Sequence, residues 1–338
     1  MKDKEKVPGK EDNSGSEESS ITQGYALPVS IIIASLIIGG SWISTAKQRG
    51  QSSSQEPKSL TEAEHPSISG WPEAIAPSQG IELPVRWGDL GVKMVSVGII
   101  DDEKFINLYA AKPDIEKEAK KLLYEGNNAN LVITEKNSGL LLNLLCALGL
   151  GTSNPVLAKG PMADSRYGGA GNFASTGGWT IAKGGAMEHF NRHPLIVLTE
   201  AQQKLVEDIA KNIYRPCCGN STYFPDCNHG MAMLGLLELM ASQNASESDM
   251  YRVALSVNSY WFPDTYSTVE KYFESKKVSW SAVNPKEVLG AAYSSAQGYQ
   301  RIASQVAGPQ GGRGGSGCGV DAGAPSPQPK RQSGCGVQ

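Results

Sequence analysis

The sequence predicts a mainly α-helical protein with one N-terminal transmembrane helix, a helical, bundle-like domain outside the cytoplasm, and a disordered C-terminal tail. Three observations carry that reading. An uncharged apolar run lies near the N-terminus, a series of helix caps with helical periodicity fills the second half, and the chain ends in Gly, Pro, Ser and Gln.

No charged residue occurs between Glu18 and Lys47, and the run Tyr25–Ile43 is apolar enough to cross a ~30 Å hydrocarbon core at about 1.5 Å per residue. Tyr25 and Trp42 bracket it as interfacial aromatics do. A cleaved signal peptide is the competing reading. It asks for a positive n-region, whereas residues 2–18 hold four Lys against six Asp and Glu. The expected plan is a cytoplasmic tail over 1–24, a transmembrane helix over 25–44, and a Ser/Gln/Glu/Pro-rich linker over 45–86. The lipid bilayer is then a partner, and the protein is a single-pass component of the cell membrane with its N-terminus cytoplasmic.

Residues 87–198 read as helical with a Gly-rich loop. Leu90, Met94 and Val97 share a helical face that Gly98 can end, and Asp101 and Asp102 can cap Glu103–Ala111. Asp114–Tyr124 is a charged amphipathic helix, and Thr134 with Glu135 opens another through Leu150. Cys146, in LLLNLLCALGL, reads as an inert core thiol. From Gly149 to Gly185 glycines are frequent and periodicity is lost. A phosphate-cradling loop would follow a strand and carry Gly-x-x-x-x-Gly-Lys-Ser/Thr or Gly-x-Gly-x-x-Gly spacing. GGAGNF has neither the lysine nor the strand, so an ordered surface loop or a pocket lining is expected.

Residues 199–306 read as five helices. Thr199 and Gln202 make a capping box ahead of Leu205–Tyr214, which Pro216 stops. Asn228–Ser242 is apolar almost all round and should be a central buried helix. Ser246 caps Glu247–Asn258, and Asp264 caps a helix through Lys276. Asn284 with Pro285 starts the last, through Val306. Residues 307–338 lack core-forming residues and repeat Ser-Gly-Cys-Gly-Val at Ser316–Val320 and Ser333–Val337. Their thiols, Cys318 and Cys335, suit mobile metal or thiol carriers, or cross-links in a disulfide-linked homo-oligomer.

A net charge of -3 argues against a nucleic-acid partner. No Gly-x-Ser-x-Gly elbow or His-Glu-x-x-His helix is present, so no catalytic residue is assigned. The chemical signal is IYRPCCGNSTYFPDCNHGMAML. Cys217 and Cys218 follow a helix end, and Cys227 and His229 open the next helix. Three thiolates and an imidazole make a Cys₃His set suited to structural zinc. Met231 and Met233 add soft thioethers that would favour copper as Cu(I). His189 and His193 are further candidate ligands at i and i+4. Two alternatives stay open: a structural surface protein with a disulfide from Cys217 or Cys218 to Cys227 and a cross-linking tail, and thiol-disulfide redox chemistry at the vicinal pair Cys217 and Cys218.

The stretch RPCCGNSTYFPDCNHGMAMLGLLELMASQ, with NSYWFPDTY and the ending SGCGV, resembles a group of uncharacterised single-pass bacterial membrane proteins. Pro216-Cys217-Cys218 and Asp226-Cys227 are more distantly similar to the PCYCGC-motif family, although adjacent cysteines replace that family's alternating ones. The resemblance implies an exported or anchored Cys/His domain and supplies no reaction.

Overall fold

The computed structural model describes residues 75–306. The chain order is β1 (Ile81–Gly88), α1 (Leu90–Ser96), α2 (Asp102–Asn107), α3 (Pro113–Tyr124), β2 (Asn128–Ile133), α4 (Ser138–Gly151) and α5 (Pro155–Lys159). It continues with α6 (Ala186–His189), α7 (Glu200–Ala210), α8 (Asn228–Ser242), α9 (Glu247–Trp261) and α10 (Pro263–Ser275). Three short helices close the series: α11 (Pro285–Val288), α12 (Ala291–Ser294) and α13 (Ala296–Val306).

The centre of the fold is the crossing of α4 and α8, the two helices that are apolar on nearly every face. They touch backbone to backbone because glycines face each other there. A Cβ on Gly235 would lie 2.4 Å from the Leu145 carbonyl and 2.7 Å from the Gly149 nitrogen. One hydrophobic core surrounds the crossing and draws on both predicted halves of the domain, from Trp87 and Phe105 to Tyr266 and Ile302.

The mainly helical expectation holds, with a two-stranded antiparallel sheet added to it. β1 pairs with β2 from Ile81 opposite Ile133 to Gly88 opposite Asn128, with an irregularity between Glu82 and Arg86. Pro84 sits inside that irregularity, where a residue without an N–H cannot serve a regular ladder. Leu83, Val85 and Trp87 point into the core, and Gln243 at the end of α8 pairs with both backbone groups of Arg86, at 2.9 and 2.8 Å. The end of the expected linker and the expected helical start at Trp87 are therefore strand.

The membrane expectation is corrected. No helix among the described residues is long and apolar enough to cross a membrane. Even α4 and α8, with 14 and 15 residues, span only about 21–23 Å at 1.5 Å per residue, against a core of about 30 Å. The run over 25–44 lies outside the described residues, as does the tail over 307–338 with Cys318 and Cys335. Among the described residues, the single-pass anchor and the location outside the cytoplasm therefore have no structural element behind them.

Side-chain caps begin several of the helices, though α10 starts at Pro263 behind Phe262 and not from an Asp264 cap. Thr199 and Gln202 form the capping box of α7, Ser246 accepts from the Asp249 nitrogen, and Asn284 from Lys286 and Glu287. The long final helix expected from Asn284 is broken instead into α11, α12 and α13, with Gly290 and Ser295 at the joints.

Candidate metal centre

The segment between α7 and α8 is a loop held from several sides. The Thr222 nitrogen donates to the Ile213 carbonyl at 2.8 Å and the Tyr223 nitrogen to Ala210 at 3.0 Å, folding the loop back onto the end of α7. The Tyr214 nitrogen donates to Leu289 at 2.8 Å, and the Cys218 carbonyl accepts from Ala296 at 2.9 Å, which ties the loop to the final helices. The Gly-rich segment covers another side. Buried Ser175 donates its hydroxyl to the Pro225 carbonyl at 2.6 Å, and the rings of Tyr167 and Phe173 pack on Phe224. The expected surface loop thus helps hold the thiol loop in place.

This anchoring brings Cys217, Cys218 and Cys227 together. Their sulfurs all lie within 4.8 Å of one another, with Cys217 and Cys227 at 3.5 Å. A metal–sulfur bond of about 2.3 Å places sulfurs roughly 3.8 Å apart in a tetrahedron and about 4 Å apart in a trigonal plane. The three thiols are close enough together that they could hold a metal ion. Adjacency of Cys217 and Cys218 is no obstacle, because the turn after Pro216 lets both side chains reach Cys227. Cys217 is exposed, so the group is open to solvent on one side, and Cys218 and Cys227 are half-buried.

Behind the thiols stands Arg215, 1 % exposed. Its Nε donates to the Cys227 sulfur at 3.0 Å, one terminal nitrogen to the Asn220 carbonyl at 3.1 Å, and the other to the Phe224 carbonyl at 2.9 Å and Asp226 Oδ1 at 2.5 Å. Asn220 completes the group by donating to the other Asp226 oxygen at 2.7 Å. Gly230, in the first turn of α8, leaves the room for the guanidinium, since a Cβ there would lie 2.5 Å from its central carbon.

The environment favours one thiolate. Hydrogen bonds from Cys217 and Cys218, then the Arg215 charge and a hydrogen bond from His229, hold the Cys227 thiol well below its ordinary value against the opposing effect of burial. Cys227 is also the N-cap of α8, where the helix dipole favours negative charge. The hydrogen bonds Cys217 gives to Cys218 and Cys227 keep it protonated. For Cys218, a hydrogen bond with Cys217 acts downward, but the bond to Cys227 and burial prevail and push it up to about 11. Burial raises Asp226 although Arg215 pulls it down.

Of the other predicted ligands, only His229 reaches this group, through its hydrogen bond to Cys227. His229 adjoins Cys227 but lies outside the three-sulfur cluster, its ring 4.5 Å from that of Phe262 and edge-on to Trp261 at 5.7 Å. His189 and His193 pair with each other, His189 Nδ1 to His193 Nε2 at 3.1 Å, and His189 Nε2 is bound to the Lys183 carbonyl at 2.8 Å. Met231 and Met233 are buried in the core along α8. Cys146 is fully buried, and burial raises its thiol far out of the reactive range. Sequence reasoning missed Arg215, Asp226 and Asn220. The charged residues immediately before Cys-Cys and before Cys227 were the available signal.

No family model, curated protein or solved structure matches the chain.

Proposed function

We propose that this protein binds a thiophilic metal ion through Cys217, Cys218 and Cys227. The observation that carries the proposal is the convergence of three sulfurs within 4.8 Å beside a buried guanidinium. Three thiolates around a divalent ion carry one net negative charge, and around Cu(I) two. Arg215 offsets part of that charge, and its single positive charge is shared with Asp226, its ion-pair partner. Zinc and copper are the candidate metals. Three sulfurs alone suit Cu(I), a soft ion satisfied by few ligands. Zinc would require a fourth donor, for which His229 is the nearest predicted candidate.

X-ray absorption on the full chain, reconstituted with Cu(I) or Zn(II) under reducing conditions, tests this. About three sulfurs near 2.3 Å support the site, with an added imidazole shell for zinc. A first shell of nitrogen and oxygen alone removes the cysteines from the role.

A second reading rests on the 3.5 Å separation of Cys217 and Cys227. In thiol-disulfide exchange the Cys227 thiolate would attack a substrate disulfide, releasing one thiolate. Cys217, giving its proton to the first thiolate released, would then attack Cys227, closing an internal disulfide and releasing the second thiolate. This pairing replaces the vicinal Cys217–Cys218 couple as the redox pair. Cysteine mapping after treatment with a small disulfide would show a Cys217–Cys227 bond if this reading holds, and mixed disulfides alone if it fails.

A further inference from the structure

A cleft of about 510 Å³ lies between the turn that follows α4 and the first turns of α7, away from the thiol loop in sequence and lined by none of its cysteines. Its polar lining is unusual. Thr152 is 2 % exposed, and its hydroxyl has no hydrogen-bond partner. Asn154, 3 % exposed, donates to Glu238 of α8, while its carbonyl oxygen accepts from the Val156 nitrogen at 2.7 Å and from Gln203 at 3.1 Å. Glu238 is fully buried, and its second oxygen has no partner. Buried polar groups without partners are uncommon in folded proteins, and the Thr152 hydroxyl, in the lining of this cleft, is one.

What remains on offer along the walls is acceptors. Gln203 spends its amide nitrogen on Asn154 and on Glu207, both at 3.1 Å, which leaves its carbonyl oxygen. Glu200 and Glu207 add two carboxylates, and Lys204, the one cation in the lining, is paired with Asp208. The lining also has an apolar part, which includes Pro155, Ile196 and Val197, the last 78 % exposed. A ligand that answers this lining carries hydrogen-bond donors and positive charge at one end and a short apolar body at the other.

We propose that the cleft binds a small protonated amine, its ammonium group received by the Thr152 hydroxyl, the Gln203 carbonyl and the Glu207 carboxylate, and its hydrocarbon part laid against Pro155, Ile196 and Val197. The site is independent of the metal reading. An ammonium group supplies three donors, enough to satisfy the buried hydroxyl and two further acceptors at once.

The test uses n-butylammonium as the probe and saturation-transfer NMR on the full chain. Saturable binding is expected, with Kd on the order of 1 mM for so small a ligand. Thr152→Val and Glu207→Gln should each weaken it at least tenfold, and n-butyrate should not bind. Thr152→Val exchanges an unpartnered hydroxyl for a methyl of the same shape, so the variant should melt no lower than the parent. No saturable signal from butylammonium, equal binding of butyrate, or full affinity in either variant would overturn the proposal. So would a Thr152→Val protein that melts several degrees below the parent, since the hydroxyl would then serve the fold.

Discussion

Replacing Arg215 by methionine keeps much of the side-chain volume and removes every donor of the guanidinium. Four hydrogen bonds go with it, to the Cys227 sulfur, the carbonyls of Asn220 and Phe224, and Asp226. The partner carboxylate is itself only 21 % exposed. Breaking a buried pair from one side costs roughly 3–5 kcal/mol, because the remaining charge and acceptors are left without compensation. Burial already raises Asp226, so it can take up a proton and relieve part of that cost, which places the expectation near the lower end, about 3 kcal/mol. That is about two decades in the folding equilibrium. Denaturant unfolding of the metal-free chain in reductant measures it. Asp226→Asn should cost less on the Arg215→Met background than on the parent, a coupling of about 0.5–3 kcal/mol. Alkylation of Cys227 by iodoacetamide near neutral pH should slow in Arg215→Met, since a donor to its thiolate is gone. A loss of stability below about 1 kcal/mol with unchanged alkylation would mean that Arg215 neither holds the loop nor stabilises the thiolate, and the electrostatic account of the site would fail.

Two further outcomes follow from the core. Gly235→Ala would force the new methyl to within 2.4 Å of the Leu145 carbonyl and should destabilise the protein by about 1–3 kcal/mol in denaturant titration, whereas Gly126→Ala, which meets nothing, should not. Glu238 is buried with its pKa raised well above the ordinary carboxylate value, burial outweighing the hydrogen bond from Asn154. The folded state therefore holds a proton that the unfolded state releases above its ordinary pKa of 4.5, and this contribution to stability is present at low pH and declines as pH rises. The slope is up to about 1.4 kcal/mol per pH unit until the folded pKa is passed. Glu238→Gln, which mimics the protonated acid, should flatten that slope and melt above the parent at pH 8. A parent and variant with parallel pH profiles would show that Glu238 is ionised in the fold.

Helix starts were the most legible part of the sequence, because a cap is a local device. Thr199, Ser246, Asn284 and Asp101 each accept from the expected backbone nitrogens. The strands were missed for a different reason. Leu83, Val85 and Trp87 do alternate, but Pro84 between them argues against a regular strand, and the partners in β2 lie far along the chain, Ile81 opposite Ile133 and Gly88 opposite Asn128. The expected helix through Val306 ignored Gly290 and Ser295, whose extended backbones end one helix and begin another. At the site, the three cysteines were legible as a cluster. Their support was not, since a wholly buried arginine and a surface one look alike in a sequence. Arg215 is identified only by the space that Gly230 leaves for it. His229, placed beside Cys227 by the start of α8, hydrogen-bonds that thiol while its ring packs against Trp261 and Phe262.

Metal stoichiometry is the most direct measurement of the central claim. The full chain, reduced and offered Cu(I) or Zn(II) under anaerobic conditions, should retain about one ion of at least one of these metals per chain after exhaustive buffer exchange. The count should hold in a Cys146→Ala, Cys318→Ser, Cys335→Ser variant and fall to background in Cys227→Ser, as the loss of one sulfur from the 4.8 Å group requires. A parent that retains neither metal, or full occupancy in Cys227→Ser, would contradict the three-thiol site.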